Sequence, residues 1–152
     1  MDDTISFLRS INGLLIFSIG EHEFCIDISR VSAIIKPEEE KKYYEFYLKE
    51  MDLLKLYNGS FPAFNSKIFF GAENGEWTSD SRIILINCRH LVISLRADKV
   101  IEVISLIKTD DKNLLEAEIY SSDDYLIGKV KFENRNWLYP NIDKVCSQFI
   151  PD

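Results

Sequence analysis

One stretch near the N-terminus, LLIFSIGEHEFCIDISRVSAIIK at residues 14–36, decides the fold. Leu15, Phe17 and Ile19 recur at a period of two, which is the period of a β-strand. Gly20 interrupts this alternation, and apolar residues alternate again from Phe24 onward. Because glycine adopts the positive φ that a tight connection needs, the stretch predicts a β-hairpin.

The hairpin is followed by a short step and a third strand. Residues 27–31 are too few and too polar to extend the ladder, so they predict a turn of helix. Residues 32–35 have the β-branched content of a strand, and Pro37 ends it because proline cannot donate to a sheet. The order is strand, turn, strand, helical step, strand.

The second half of the chain repeats this order. Residues 82–88, RIILINC, form a near-continuous apolar run that predicts a strand, and residues 91–95 predict a second strand that runs back beside it. A short step at Asp98 then leads into a third predicted strand at residues 101–107. Such a repeat predicts two related small units. We therefore expect a mainly β fold, in which two pseudo-symmetric five-stranded barrels share a hydrophobic core.

Domain boundaries follow from the same reading. Residues 1–152 form one domain, with approximate lobes at 14–70 and 81–140 that meet in the polar interval 71–81. Trp77 inside that interval is interpreted as an anchor of the junction. Residues 141–149 carry apolar residues at helical spacing and predict a C-terminal helix.

Two connections carry weaker signals. Residues 38–52 follow Pro37 with three glutamates, which is typical of a helix start, and we expect a partly helical connection there. Asn58 and Gly59 lie between two apolar runs, which indicates a hairpin with these two residues at the centre of its turn.

Composition and charge exclude several classes of protein. The chain has 152 residues, 46% of them hydrophobic, so it is long and apolar enough to bury a core. A formal net charge of −7 argues against nucleic acid as a partner, because cationic side chains supply most of that affinity. No signal peptide or membrane span is expected from the sequence, which indicates a cytoplasmic protein without membrane insertion.

The three cysteines, Cys25, Cys88 and Cys146, are odd in number and widely spaced, and this pattern predicts reduced thiols. Cys25 lies near His22 and Asp27 but is interpreted as a small buried thiol rather than a nucleophile. The Cys88–His90 segment offers at most two metal ligands, so a turn is expected there. We predict a protein that is not an enzyme and has no cofactor or metal.

The ordered set of motifs resembles the CheW-like domain family of chemotaxis coupling proteins. Their usual pattern is an apolar strand, a charged turn, an I-D-I segment and a V-x-E-I strand, with V-D-x-V-x-E-V in the second half. Matching residues are Gly20, Glu21, Glu23, Phe24, Ile26, Asp27, Ile28, Val31 and Ile34, and then Ile93, Ala97, Asp98, Val100, Glu102, Val103 and Ile104.

The resemblance implies a non-catalytic adaptor that couples a chemoreceptor to the regulatory domain of a histidine kinase. Carried over by position, an inter-lobe groove and its rim would bind these partners. The positions this implies are Val31, Ile34, Ile35 and Leu54 for the apolar groove, and Asn58 and Gly59 for the polar rim. Val31 and Ile34 are equally compatible with plain core, and Asn58 and Gly59 with a plain turn.

Three departures from the family pattern bear on its charged contacts. Ala33 replaces the glutamate of the V-x-E-I strand, Ile35 replaces the cation that follows, and Asn58 replaces an arginine. The sequence therefore predicts a divergent adaptor with a more apolar interface. A ligand-binding module with a pocket between the lobes, and a self-associating structural protein, are the alternatives.

Overall fold

The computed structural model describes residues 11–36, 53–56, 59–63, 65–106, 115–119 and 124–149. The helical connection expected at 38–52, and Asn58, lie outside these residues. The predicted mainly β class is confirmed. The described strands are β1 Gly13–Ile19, β2 His22–Asp27, β3 Val31–Ile35, β4 Leu53–Leu56, β5 Gly59–Pro62, β6 Arg82–Asn87, β7 Val92–Ala97, β8 Lys99–Ser105, β9 Leu115–Ile119, β10 Leu126–Phe132 and β11 Arg135–Pro140.

Three helical segments complete the described part of the chain. The helical step predicted after β2 is a 3-10 helix at Ile28–Arg30, capped by the Asp27 carboxylate, which accepts from the Ser29 N–H at 3.0 Å. Helix α1 spans Ser66–Phe70 and helix α2 spans Ile142–Ser147. The predicted C-terminal helix is therefore confirmed.

The strands form two main sheets and a separate hairpin. A six-stranded sheet has the order β8-β1-β2-β11-β10-β9, and a three-stranded sheet has the order β3-β6-β7. Strands β4 and β5 pair with each other. Neighbours are antiparallel throughout, except β2 and β11, which are parallel.

The two repeated units exchange their third strands. The β1–β2 hairpin is followed in sequence by β3, and the β6–β7 hairpin by β8. However, β8 pairs with β1, and β3 pairs with β6. Each hairpin is thus completed by a strand from the other half of the chain. Strand pairing links the ranges 14–70 and 81–140. The division of the chain into two lobes at these ranges stays a prediction.

Strand β1 is buried on both faces and separates two clusters of the core. Leu15, Phe17 and Ile19 point into a cluster shared with residues of the three-stranded sheet, such as Ile84 and Leu95. Alternate residues of β1 point the other way, into a second cluster. We call these the shared cluster and the inner cluster.

The inner cluster shows that the six-stranded sheet is strongly curved. It contains Ile104 of β8 and Leu115 of β9, which are the two edge strands of that sheet. In a flat sheet these strands would lie about 24 Å apart, at about 4.8 Å per neighbour. Glu102 of β8 also forms an ion pair with Arg135 of β11, three places away. Closure into a five-stranded barrel is not confirmed by the pairing of the described strands.

Two local expectations need correction. The β4–β5 hairpin forms, but Gly59 is the first residue of β5 and pairs with Leu56, so it lies in the ladder rather than at a central turn position. Cys88 and Cys146 are joined in a disulfide with Cα atoms 5.6 Å apart, so the prediction of reduced thiols is wrong for this pair. A separation of 58 residues hides this proximity from the sequence. Cys25 is free and buried, as expected.

The carboxylate of Asp98, in the step between β7 and β8, joins three segments. It accepts from the Gly20 N–H at 2.7 Å, from the Asn74 amide at 2.9 Å, and from the Gly75 N–H at 3.1 Å. Its own N–H donates to the Ser18 carbonyl at 2.8 Å. Asp98 thus holds the β1–β2 turn and the interval after α1 against the second unit. Trp77 of that interval is half-buried and packs against Ile83 and Leu85. Its role as an anchor of a junction between two lobes stays a prediction.

We expect Asp98→Asn to lower the free energy of unfolding by about 1–3 kcal/mol, because bonds to an ionised acceptor are stronger than those to an amide. Urea denaturation measures the change. Asp80→Asn, at an exposed turn position, is the matched control and should change stability by less than about 0.5 kcal/mol. Equal effects of the two substitutions would contradict the role of Asp98.

A second prediction compares two glycines with similar backbone angles. Gly20 has φ +60° and Gly71 has φ +69°, but a Cβ at Gly20 would lie 2.6 Å from the Glu73 carbonyl oxygen, whereas one at Gly71 meets nothing within 4 Å. Gly71→Ala should cost about 1 kcal/mol of backbone strain, and Gly20→Ala clearly more, because the Glu73 backbone must also move. Thermal and urea unfolding of both variants test this, and equal losses would count against it.

Candidate functional site

The candidate catalytic and metal positions do not form a reactive centre. Cys25 is fully buried in the inner cluster, and burial raises the pKa of its thiol far above the ordinary value, so it stays protonated. His22 is exposed at the start of β2. Within the described ranges, no three His, Cys, Asp or Glu side chains are placed to hold a metal ion. The interpretation of Cys25 as a small buried thiol is confirmed.

The residues proposed as partner-binding positions lie on two different elements. Val31, Ile34 and Ile35 belong to β3, which with β7 is one of the two outer strands of the described three-stranded sheet. Leu54 and Gly59 belong to the β4–β5 hairpin. The sixth residue, at position 58, lies outside the described residues. Of the predicted site, strand β3 carries the described side chains.

A β-bulge decides which way the side chains of β3 point. Val31 pairs with Ile86 and Ala33 with Leu85, so Ser32 is an extra residue between two pairs. Val31 and Ile34 consequently oppose Ile86 and Ile84, both members of the shared cluster.

Ala33 and Ile35 instead point to a third cluster, which is built on Ile83 and Leu85. The two residues that replace the charged pair of the family pattern therefore pack inward. Their apolar character is explained by core packing within the three-stranded sheet.

Strand β8 carries the same feature in the other sheet. Phe17 pairs with Val100 and Ile16 with Glu102, so Ile101 is the extra residue of a second bulge. Val103 pairs with Leu15, and Val100 and Val103 thereby lie on the face that carries the shared cluster. Both valines belong to the repeated D-x-V-x-E-V pattern, but neither is among the partner-binding residues predicted from the sequence.

We define the apolar rim as Val31 and Ile34 of β3 together with Val100 and Val103 of β8. Among the described strands both are edges of their sheets, and both present these residues on the side of the shared cluster. Val31 and Val100 pack partly against that cluster, whereas Ile34 is 40% exposed and Val103 is 55% exposed. Ile101, at the bulge of β8, is 38% exposed as well. Exposed apolar side chains on strands that are edges among the described strands offer a surface that a partner protein can cover.

Two of the charged groups beside the rim form ion pairs within the chain. Glu102 alternates with the rim valines of β8 and forms an ion pair with Arg135, which also lies over the Trp137 ring at 4.9 Å. Arg30, the residue before Val31, is paired with Asp143 at 2.7 Å. Glu102 and Arg30 are thus used in ion pairs, whereas Lys36 after β3 and Lys99 before Val100 are exposed.

A separate polar cleft of about 750 Å³ lies between α1, residues 73–77 and β7. Arg96 within it lies 4.0 Å from the centre of the Trp77 ring and donates to the Gly75 carbonyl, so its guanidinium is used inside the protein. This cleft lies beside one sheet. The alternative of a ligand pocket between the lobes therefore stays a prediction.

The helices of the described part include none that is long and apolar enough to cross a membrane. Comparison with known proteins then places the chain. The model of the CheW-like domain matches residues 13–149. No curated protein matches the sequence.

Among solved structures, the chain is similar to the scaffolding protein TtCheW from Thermoanaerobacter tengcongensis. The TM-score is 0.61 with 21% identity, and the match covers 86% of this chain and 88% of the other.

If the rim is a surface rather than core, polar substitutions there should be tolerated. We expect Ile34→Ser and Val103→Ser each to cost less than about 1 kcal/mol of unfolding free energy, because both side chains are exposed to solvent in the folded protein and lose little buried apolar area. Ile84→Ala, at a fully buried position opposite Ile34, should cost about 2–4 kcal/mol. Urea denaturation compares the three variants, and a rim substitution as costly as Ile84→Ala would contradict this assignment.

Proposed function

Because the chain belongs to the CheW-like domain family, we propose that it is a non-catalytic adaptor of a bacterial chemosensory system. It couples a chemoreceptor to the regulatory domain of a histidine kinase through protein–protein contacts, and it acts in the cytoplasm. The apolar rim is the observation that supports this proposal most directly. An adaptor needs exposed apolar surface that its own fold leaves uncovered.

The proposed partner-binding surface consists of the exposed Ile34 and Val103 and the partly buried Val31 and Val100 on the same two strands. The exposed side chains supply contact area, and the partly buried ones fix the position of the edge strands against the shared cluster. Of the other positions implied by the resemblance, Ile35 packs toward Ile83 and Leu85 and acts as support. Leu54, Asn58 and Gly59 remain proposed contacts on the β4–β5 hairpin and its turn.

An apolar rim has consequences for how partners bind. Salt screens exposed ion pairs but has little effect on the burial of apolar surface. Since Ala33 and Ile35 stand where the family pattern has a glutamate and a cation, complex formation should depend weakly on ionic strength. Specificity then comes from the shape of the rim.

Calorimetric titration with the regulatory domain of a histidine kinase from the same genome, and with the helical-hairpin tip of a receptor, tests the proposal. We expect micromolar or tighter binding to at least one of them. Ile34→Glu and Val103→Glu should weaken it more than tenfold, because each would bury an unpaired carboxylate.

Asn136→Glu, a new charge at an exposed position of β11, is the matched control and should bind as the wild type does. Absence of binding to every such domain and receptor tip of that genome would refute the adaptor function. Equal weakening by Asn136→Glu would refute the location of the surface.

A further inference from the structure

The disulfide joins two segments that a single arginine also bridges. Cys88 follows β6 of the three-stranded sheet, and Cys146 lies on α2, which packs on the shared cluster. Arg30 donates from Nε and Nη2 to the Asn87 carbonyl at 3.2 and 3.1 Å, and from Nη1 to the Asp143 carboxylate at 2.7 Å. Its Nη2 also lies 3.7 Å from the sulfur of Cys146.

The surroundings of the two sulfurs differ. Cys88 is partly exposed, whereas Cys146 is 4% exposed and lies beside the guanidinium. An external thiolate therefore reaches the Cys88 sulfur more readily. A cation beside the other sulfur stabilises the thiolate that leaves when the bond breaks, and a better leaving group speeds thiol–disulfide exchange.

We propose that Cys88–Cys146 is a reversible redox site, which exchanges with low-molecular-weight thiols and whose leaving thiolate at Cys146 is stabilised by Arg30. This inference does not rest on the adaptor function. If the protein acts in the cytoplasm as proposed above, the pair belongs to the disulfides that cycle there rather than to a permanent framework.

The reaction balances with two molecules of an external thiol. The first thiolate attacks the Cys88 sulfur, the S–S bond breaks, and its electron pair leaves on Cys146. The second attacks the external sulfur of this mixed disulfide and releases the Cys88 thiolate. The protein gains two electrons and takes up protons from solvent, and the external thiol is oxidised to its disulfide.

Arg30 also explains why the reaction can reverse. After reduction, its bonds to Asn87 and Asp143 still hold the two segments in place, so the thiols stay close enough to reoxidise. Arg30 directly precedes Val31, the first residue of β3. The cysteine pair therefore lies where a change in its redox state can affect β3, the strand that carries half of the apolar rim.

The test treats the oxidised full chain with reduced glutathione under native conditions, and traps thiols with N-ethylmaleimide over time. We expect the reduced wild type to take up two labels, mapped to Cys88 and Cys146. A reduced sample incubated with glutathione disulfide before trapping should take up none at these positions, because the disulfide has formed again. Cys25 should stay unlabelled because it is buried and its raised pKa keeps it a thiol. A bond that glutathione cannot reduce in the folded protein would overturn the proposal, and this arm needs no variant.

The role of Arg30 is tested by the rate of reduction. Arg30→Gln should slow it about three- to tenfold, and Arg30→Lys should restore most of the rate because it keeps the charge. Asp143→Asn loosens the same contact but leaves the cation, so it should stay within about twofold of the wild type or react faster. Arg82→Gln is a distant control. If Arg30→Gln and Asp143→Asn changed the rate alike, Arg30 would be merely structural and this part of the proposal would fail.

Discussion

The exchange of third strands between the two halves of the chain is the constraint on which the rest of the structure depends. Without β8, the β1–β2 hairpin would expose one side of its ladder, and without β3 the β6–β7 hairpin would do the same. Isolated two-stranded hairpins are marginally stable in water. Neither half of the sequence can therefore complete its sheet alone, and the shared cluster forms only when both are present.

This exchange also creates the apolar rim. A strand that crosses to the other unit becomes an edge among the described strands there, since it pairs with one described neighbour. The bulges at Ser32 and Ile101 then turn two residues of each edge strand toward the shared cluster. The same geometry that closes the core leaves Ile34 and Val103 exposed at its border.

Several parts of this arrangement follow from the sequence, because they depend on local periodicity. The alternation of Leu15 and Phe17, the turn at Gly20 and the repeat around Asp98 identify strands and their order. A period of two tells which residues share a face but not which strand is the neighbour, so the exchange is invisible to it. The D-x-V-x-E-V pattern marks Val100 and Val103, but only the bulge at Ile101 brings both onto the face of the shared cluster, and the sequence does not show that bulge.

Helix α1 and strand β9 were missed although local signals exist. Asn65 and Gly71 are suitable caps at either end of α1, and Leu115 and Ala117 of β9 alternate with glutamates. The Cys88–Cys146 pair has no such signal, because only the return of the chain end to the three-stranded sheet brings these residues together.

The single parallel contact of the six-stranded sheet has a mechanical consequence. Strands β8, β1 and β2 form one antiparallel triplet, and β11, β10 and β9 form another. The two triplets meet where β2 and β11 pair only through Phe24 and Leu138. A force that pulls β9, β10 and β11 away from the other three strands would separate the sheet between β2 and β11, while the hydrogen bonds within each triplet stayed intact.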